Sequence, residues 1–156
     1  MNAKTIQVKQ ADDILKSLED AFKGLPKLPK GLVDFFVAIA PWISLVGGVL
    51  LLIIVGILGL ISLIGSVMAA VVALAPQYVI MMLITLAIAI IEGVLMLLAF
   101  SPLKARMLSG WRMMAYVEFL SVISTILTLN IGGIVWGLIW NAIGFYILFQ
   151  MRPHYK

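Results

Sequence analysis

The 156-residue sequence has an apolar fraction and a charge distribution that exclude a water-soluble domain. Hydrophobic residues make up 63% of the chain, whereas they make up roughly half of a typical soluble domain. Between Phe35 and Leu103, Glu92 is the only Asp, Glu, Lys or Arg. Such a stretch cannot form a surface in contact with water, so the composition predicts an integral membrane protein.

The residue types available also restrict the chemistry. The chain has no cysteine, which excludes disulfides, thiolate metal sites and cysteine nucleophiles. Its only histidine is His154, which follows the last apolar stretch, so no serine–histidine pair or histidine-rich metal site can form within the membrane. We therefore expect no catalytic residues, no cofactor and no metal. The net charge of +4 is explained by membrane topology, so we also expect no nucleic-acid binding.

Residues 1–30 form the one segment with the composition of a soluble protein. Apolar residues recur there at alternating spacings of three and four, which predicts an amphipathic helix over about residues 8–23. Gly24 and Pro26 end this helix, and a stiff Pro/Lys linker leads to the membrane. The segment lacks the apolar core of a signal peptide, so we expect the first span to direct insertion. We expect the helix to lie on the membrane or dock on the bundle. The apolar stripe consists of Val8, Ala11, Leu15, Leu18, Phe22 and Leu25.

The sequence from Leu32 to Ala75 is almost continuously apolar. As a single helix it would be about 65 Å long, roughly twice the thickness of the hydrocarbon core. We therefore predict breaks at Pro41 and at Gly65-Ser66. These breaks would give an interfacial segment near 32–40, a span near 42–66 and an apolar outer segment to Ala75.

Three more spans are predicted near 77–100, 111–129 and 131–150. The fold class is therefore an all-α integral membrane protein, a four-transmembrane-helix bundle with an N-terminal amphipathic helix. Its parts are the helix and linker of 1–30, the membrane domain of 31–151 and a tail of 152–156. The junctions are marked by Pro76, Ser101-Pro102, Ser109-Gly110 and Asn130.

The positive charges distinguish four spans from five. If 32–75 folded into two spans, Lys104, Arg106 and Arg112 would lie on the opposite side from the six N-terminal lysines. With four spans, all eleven Lys and Arg residues fall on one side. Because positive charge marks the cytoplasmic side, we predict a multi-pass protein of the inner cell membrane with both termini in the cytoplasm. The residues expected to contact anionic lipid headgroups are Lys27, Lys30, Lys104, Arg106 and Arg112.

Three predicted spans place their most polar residue at a similar depth. Glu92, Glu118 and Asn141 lie eight or nine residues from the cytoplasmic ends of their spans, which corresponds to roughly 12–14 Å of helix. The third span continues this layer outward as a polar stripe of Ser121, Thr125 and Thr128, which share one helical face. Thr85 shares the face of Glu92 on the second span.

This polar layer has three explanations from the sequence. Its members could hydrogen-bond one another across helices and fix their register. The two carboxylates could instead form a proton or cation site, because neighbouring carboxylates do not both ionise easily. In the third explanation, Arg112 or Lys104 extends inward to pair with Glu118, which leaves Glu92 unexplained.

The sequence favours a non-enzymatic membrane protein with a scaffold, assembly or partner-binding role. The alternative is a proton or cation transporter or channel that uses Glu92 and Glu118. A lone four-helix bundle leaves little room for a pore, so that alternative requires a homo-oligomer. Small residues in the first and fourth spans, including the pair Gly133 and Gly137, provide surfaces for contact with a second copy or another membrane protein.

Overall fold

The structure is a computed structural model that describes residues 3–71, 76–127 and 131–156. It places side chains for residues 13–61, 64–65, 80–127 and 131–156. All regular structure in these residues is helical, which confirms the all-α class. The elements are α1 (Ala3–Phe22), α2 (Lys30–Val71), α3 (Pro76–Lys104), α4 (Leu108–Leu127), α5 (Ile131–Met151) and a short 3-10 helix (Arg152–His154).

Three of the described helices are long and apolar enough to cross a membrane. The qualifying stretches are Lys30–Ile61 in α2, Ile80–Lys104 in α3, and Ile131–His154, which comprises α5 and the 3-10 helix. This finding confirms a membrane protein. Helix α4 has 20 residues, but it carries Arg112 and Glu118 and is more polar on average.

Helix α2 corrects the sequence analysis, because it continues without a break through Pro41 and through Gly65-Ser66. A proline removes one backbone donor, but no water competes for the remaining backbone groups in hydrocarbon, so a helix tolerates it there. The Ser44 hydroxyl also donates a hydrogen bond of 2.8 Å to the Pro41 carbonyl. Residues 32–40 therefore belong to the same helix, and Val37 within them is only 1% exposed. The rest of the expected outer segment, 72–75, lies outside the described residues.

The long helices pack in chain order, α2 on α3, α3 on α4 and α4 on α5, and α5 makes a narrower contact with α2. Glycines allow the closest approaches. A Cβ atom at Gly48 in α2 would lie 3.0 Å from the carbonyl oxygen of Gly93 in α3. Only a residue without a side chain fits there, as is common where helices pack closely in membranes.

One end of the bundle holds most of the buried apolar side chains. We call it the charged end and define it by α1, the loop of residues 105–107 and residues 152–156. The loop and the last residues are joined by backbone hydrogen bonds, from Leu108 N to Lys156 O at 2.7 Å and from Lys156 N to Arg106 O at 3.0 Å. The core next to it includes Val37, Ala99, Leu103, Trp111, Ala115, Phe145, Leu148 and Phe149.

Helix α1 is docked on this core. Leu15 is buried, and Leu18 and Phe22 pack against the core from the same helix. The ring centroid of Phe22 lies 5.5 Å from that of Phe149 in α5. The side chains of Val8 and Ala11 lie outside the described residues, so the full amphipathic stripe stays a prediction.

The close contact at Gly48 predicts how α2 responds to a small substitution. Gly48→Ala should lower the apparent Tm in detergent by roughly 3–8 °C, because the added methyl group overpacks the contact with Gly93. The control is Gly56→Ala on the same helix, where an added Cβ meets nothing within 4 Å. Both changes give the same gain in helix propensity, so the difference in Tm measures packing. Equal Tm values for the two variants would contradict the contact.

Candidate functional site

The two membrane glutamates occupy different environments. Glu92 in α3 is 8% exposed, and its Oε1 atom has no hydrogen-bond partner among the described residues. Glu118 in α4 is half-buried. The two glutamates therefore lie on helices that pack against each other, α3 and α4.

The carboxylate of Glu118 lies directly against the backbone of α5 at Gly144. A Cβ atom at position 144 would be 2.7 Å from the Glu118 Cδ atom and 2.8 Å from its Oε2 atom. A larger residue there would require the carboxylate to move. Gly144 thus leaves open the space that the Glu118 carboxylate occupies.

Asn141 binds a different part of the predicted stripe. Its Nδ2 atom donates to the Thr125 hydroxyl at 3.3 Å and to the Gly137 carbonyl at 2.8 Å. A Cβ atom at Gly137 would lie 2.5 Å from the Thr125 methyl group, so this glycine also allows a close approach. Asn141 therefore bridges α5 to Thr125 in α4, whereas one of the three explanations from the sequence had it bind the two carboxylates. Its Oδ1 atom is buried without a partner in the described structure.

The contacts at Gly144 and Gly137 define one register between α4 and α5. Glu118 and Thr125 are seven residues apart on α4, and their glycine partners are seven residues apart on α5. The two helices therefore run antiparallel with matched turns over this length. Ser121, between these contacts on α4, is half-buried.

The remaining stripe residues do not add to an interhelical network in the described structure. The Thr85 hydroxyl donates to the Met81 carbonyl of its own helix at 2.9 Å. Thr128 lies outside the described residues.

A cavity of about 170 Å³ lies beside Glu118, between α2, α4 and α5 near the charged end. Its walls are mainly apolar, and Glu118 is the one charged side chain among the described residues that line it. Tyr155 closes part of the cavity, and its hydroxyl is buried without a hydrogen-bond partner in the described structure. Burial raises the pKa of the Tyr155 phenol, and the nearby Arg106 guanidinium opposes that rise.

Four of the five predicted headgroup contacts, Lys27, Lys30, Lys104 and Arg106, are exposed at or beside the charged end. Arg112 is half-buried and has a partner of its own. The Lys104 ammonium lies 5.9 Å from the centre of the Phe100 ring, so it is placed over an aromatic face rather than on Glu118.

An ion pair and other polar side-chain contacts hold the charged end together. Arg152 pairs with Glu19 of α1, and its guanidinium lies 5.5 Å from the centre of the Trp111 ring. His154 Nε2 lies 3.2 Å from an Asp34 carboxylate oxygen. On the exposed side of α1, the Lys23 ammonium hydrogen-bonds the Asp20 carboxylate and holds its pKa below the ordinary value.

Sequence reasoning missed three residues that shape the site, namely Gly144, Trp111 and Tyr155. Gly144 was recognisable only as one small residue among several. The register of α4 against α5 was needed to match it with Glu118. Trp111 donates its indole N–H to the Leu148 carbonyl at 2.8 Å, a contact between residues 37 positions apart.

The described residues contain no group of three or more His, Cys, Asp or Glu side chains that could hold a metal ion. No protein-family model matches the chain, and no curated protein or solved structure is significantly similar to it.

The hydrogen bond between Asn141 and Thr125 predicts a measurable coupling between α4 and α5. In a double-mutant cycle of Thr125→Val and Asn141→Leu, we expect a coupling of about 0.6 kcal/mol in unfolding free energy, typical of hydrogen bonds between membrane helices. Thr85→Val is the control, because that hydroxyl bonds within its own helix. A cycle of Thr85→Val with Asn141→Leu should show no coupling. Zero coupling in the cycle with Thr125→Val as well would contradict the hydrogen bond between Asn141 and Thr125.

Proposed function

We propose that this chain is a non-enzymatic membrane protein with four spans, whose charged end faces the cytoplasm and serves as a scaffold for a partner or for anionic lipid. The observation that carries the proposal is the docking of α1 on the charged end. The proposal has three parts, which are the fourth span, the orientation and the role of the charged end.

The register of α4 supports its assignment as the fourth span. Its 20 residues would measure about 30 Å, which equals the thickness of the hydrocarbon core. It lies antiparallel to α5, which is apolar enough to cross, with matched contacts at Gly144 and Gly137. Arg112 lies in the second turn of α4, close to the charged end, where a basic side chain can reach headgroups.

The distribution of positive charge supports the orientation. Every Lys and Arg lies in α1, in the linker and first residue of α2, in the α3–α4 connection with its flanking turns, or in the last residues. The far connections, around Gln77 and Asn130, contain none. A charge difference of this size between the two sides is typical of a cytoplasmic charged end in the inner cell membrane.

The absence of cysteine makes the topology straightforward to test. In single-cysteine variants, an impermeant maleimide should label Ala105→Cys only in inverted vesicles. It should label Gln77→Cys and Asn130→Cys only in spheroplasts. Labelling of positions 105 and 130 from the same side would mean that α4 does not cross, and labelling of 105 in spheroplasts would reverse the orientation.

The role of the charged end follows from how firmly α1 is held. Leu15, Leu18 and Phe22 pack into the core, and Glu19 pairs with Arg152. The opposite face of α1 is exposed and charged, with Asp13, Lys16, Asp20 and Lys23. A helix fixed in this way presents its charges in a constant arrangement, which lowers the entropic cost of binding a partner.

The polar layer fits this role as a structural element. Asn141 joins α5 to Thr125, and Glu118 fits against Gly144, so both contribute to the register of the helices. Polar groups at such positions specify how membrane helices pair.

A second candidate function is an oligomeric proton or cation transporter. The observation that favours it is Glu92, which is buried with an Oε1 atom that has no described partner, next to the carboxylate of Glu118. Ionisable groups in this setting are expensive, so they are commonly retained for function.

One pair of measurements separates the two functions. The scaffold role predicts that the wild-type protein in proteoliposomes conducts neither protons nor cations, and that Glu92→Gln/Glu118→Gln inserts and assembles like wild type. It also predicts that a photo-crosslinker at Asp20 on α1 forms a protein or anionic-lipid adduct in native membranes. The control position is Ile53, an exposed apolar residue of α2 away from the charged end.

Two outcomes would contradict the scaffold role. Flux by wild type that disappears in the double variant would establish the second candidate. Equal adducts from Asp20 and Ile53 would show that α1 has no specific partner.

A further inference from the structure

The cavity beside Glu118 combines an apolar wall with two polar groups that the packing of the bundle leaves available. Phe36 and Ala40 of α2, Met114 of α4 and Ile147 of α5 form part of the wall. The volume of about 170 Å³ is close to that of an engineered protein cavity of about 150 Å³ that holds benzene. The space therefore suits an apolar group of about one aromatic ring.

Tyr155 provides the first polar group. Its side chain is 5% exposed and lines the cavity, and its hydroxyl is buried without a hydrogen-bond partner among the described residues. A buried hydroxyl without a partner is unfavourable, because it has lost its hydrogen bonds to water. A small rotation of the side chain that turns the hydroxyl toward the cavity would let a ligand group bond it and remove that penalty.

Glu118 provides the second group, with a charge. Its carboxylate lies over Gly144 at the cavity. A carboxylate in an apolar setting is stabilised by a cation. None of the described residues that line the cavity is a Lys or Arg.

The same cavity has an opening toward the lipid. Ile43 of α2 lines it and is 50% exposed, and α2 makes only a narrow contact with α5 on this side. In a bilayer this gap would face the hydrocarbon close to the charged interface. Molecules with an apolar body and one charged group concentrate at that level of the membrane.

We propose that this cavity binds a small amphiphilic amine, with its ammonium group on Glu118 and its apolar body, of about one ring, between α2, α4 and α5. The amine carries no anionic group, because a phosphate or carboxylate would meet Glu118 without a basic residue to balance it. A lipid with an ethanolamine headgroup offers the same ammonium, but its phosphate makes it a poorer fit. This inference goes beyond the scaffold role, which requires no ligand.

The test uses the full chain in phosphatidylcholine nanodiscs, with 4-fluorophenethylamine as the probe and ¹⁹F NMR as the measurement. We expect the amine to bind at least about tenfold more tightly than 2-(4-fluorophenyl)ethanol, its neutral analogue. Glu118→Gln should lower the affinity for the amine by at least about tenfold, because it removes a charge-assisted hydrogen bond. Tyr155→Phe should weaken binding by roughly two- to fivefold.

A pair of alanine variants separates cavity binding from partition into the bilayer. Ala40→Phe fills the cavity and should abolish binding. Ala38→Phe adds the same ring at an exposed position of α2 two residues away and should leave binding unchanged. Comparison of these two variants also controls for the general effect of a larger side chain in α2.

Three results would overturn the proposal. Equal signals from the amine and the alcohol that Ala40→Phe does not change would show partition into the bilayer only. Binding blocked by Ala40→Phe but unaffected by Glu118→Gln would show an apolar cavity without preference for amines. Displacement of the probe by phosphatidylethanolamine in the nanodisc would assign the cavity to a lipid headgroup. The cysteine-labelling and flux experiments test the scaffold role separately from all three.

Discussion

The arrangement of the whole molecule depends on how its long helices are held at one end. In hydrocarbon, no hydrophobic driving force brings apolar side chains together. Packing therefore adds little stability to the outer halves of the helices. At the charged end, where water is near, the rings of Phe22, Phe145 and Phe149 cluster and α1 covers them. The ion pair between Arg152 and Glu19 links the last residues to α1 across this cluster.

Glycines let the helices approach each other closely, and a polar side chain of the neighbouring helix can occupy the space beside such a glycine. Gly137 admits the Thr125 side chain, and Gly144 admits the carboxylate of Glu118. Gly48 and Gly93 bring α2 and α3 together immediately beside Glu92. Two polar side chains of α4, Thr125 and Glu118, therefore occupy space that a glycine of α5 leaves open.

The sequence predicted the apolar helices and the gathering of charge at one end, because these follow from composition and from the distribution of charged residues. It was wrong about α2, where Pro41 removes only one backbone donor and lipid offers the freed groups no alternative partner. It also missed that Asn141 bonds Thr125, since the choice of partner depends on the register of α4 against α5. Depth along a helix can be counted from the sequence, whereas register requires the packed structure.

The two glutamates show why depth alone does not define a site. Glu92 and Glu118 are the same residue type at similar depth, yet only Glu118 lines the cavity, because Gly144 leaves room for its carboxylate there. The cavity lies where α2, which packs mainly on α3, makes only a narrow contact with α5. A buried charged group costs free energy, and a space beside it that can hold a group of opposite charge lowers that cost. Glu118 has such a space beside it, whereas Glu92 does not line the cavity.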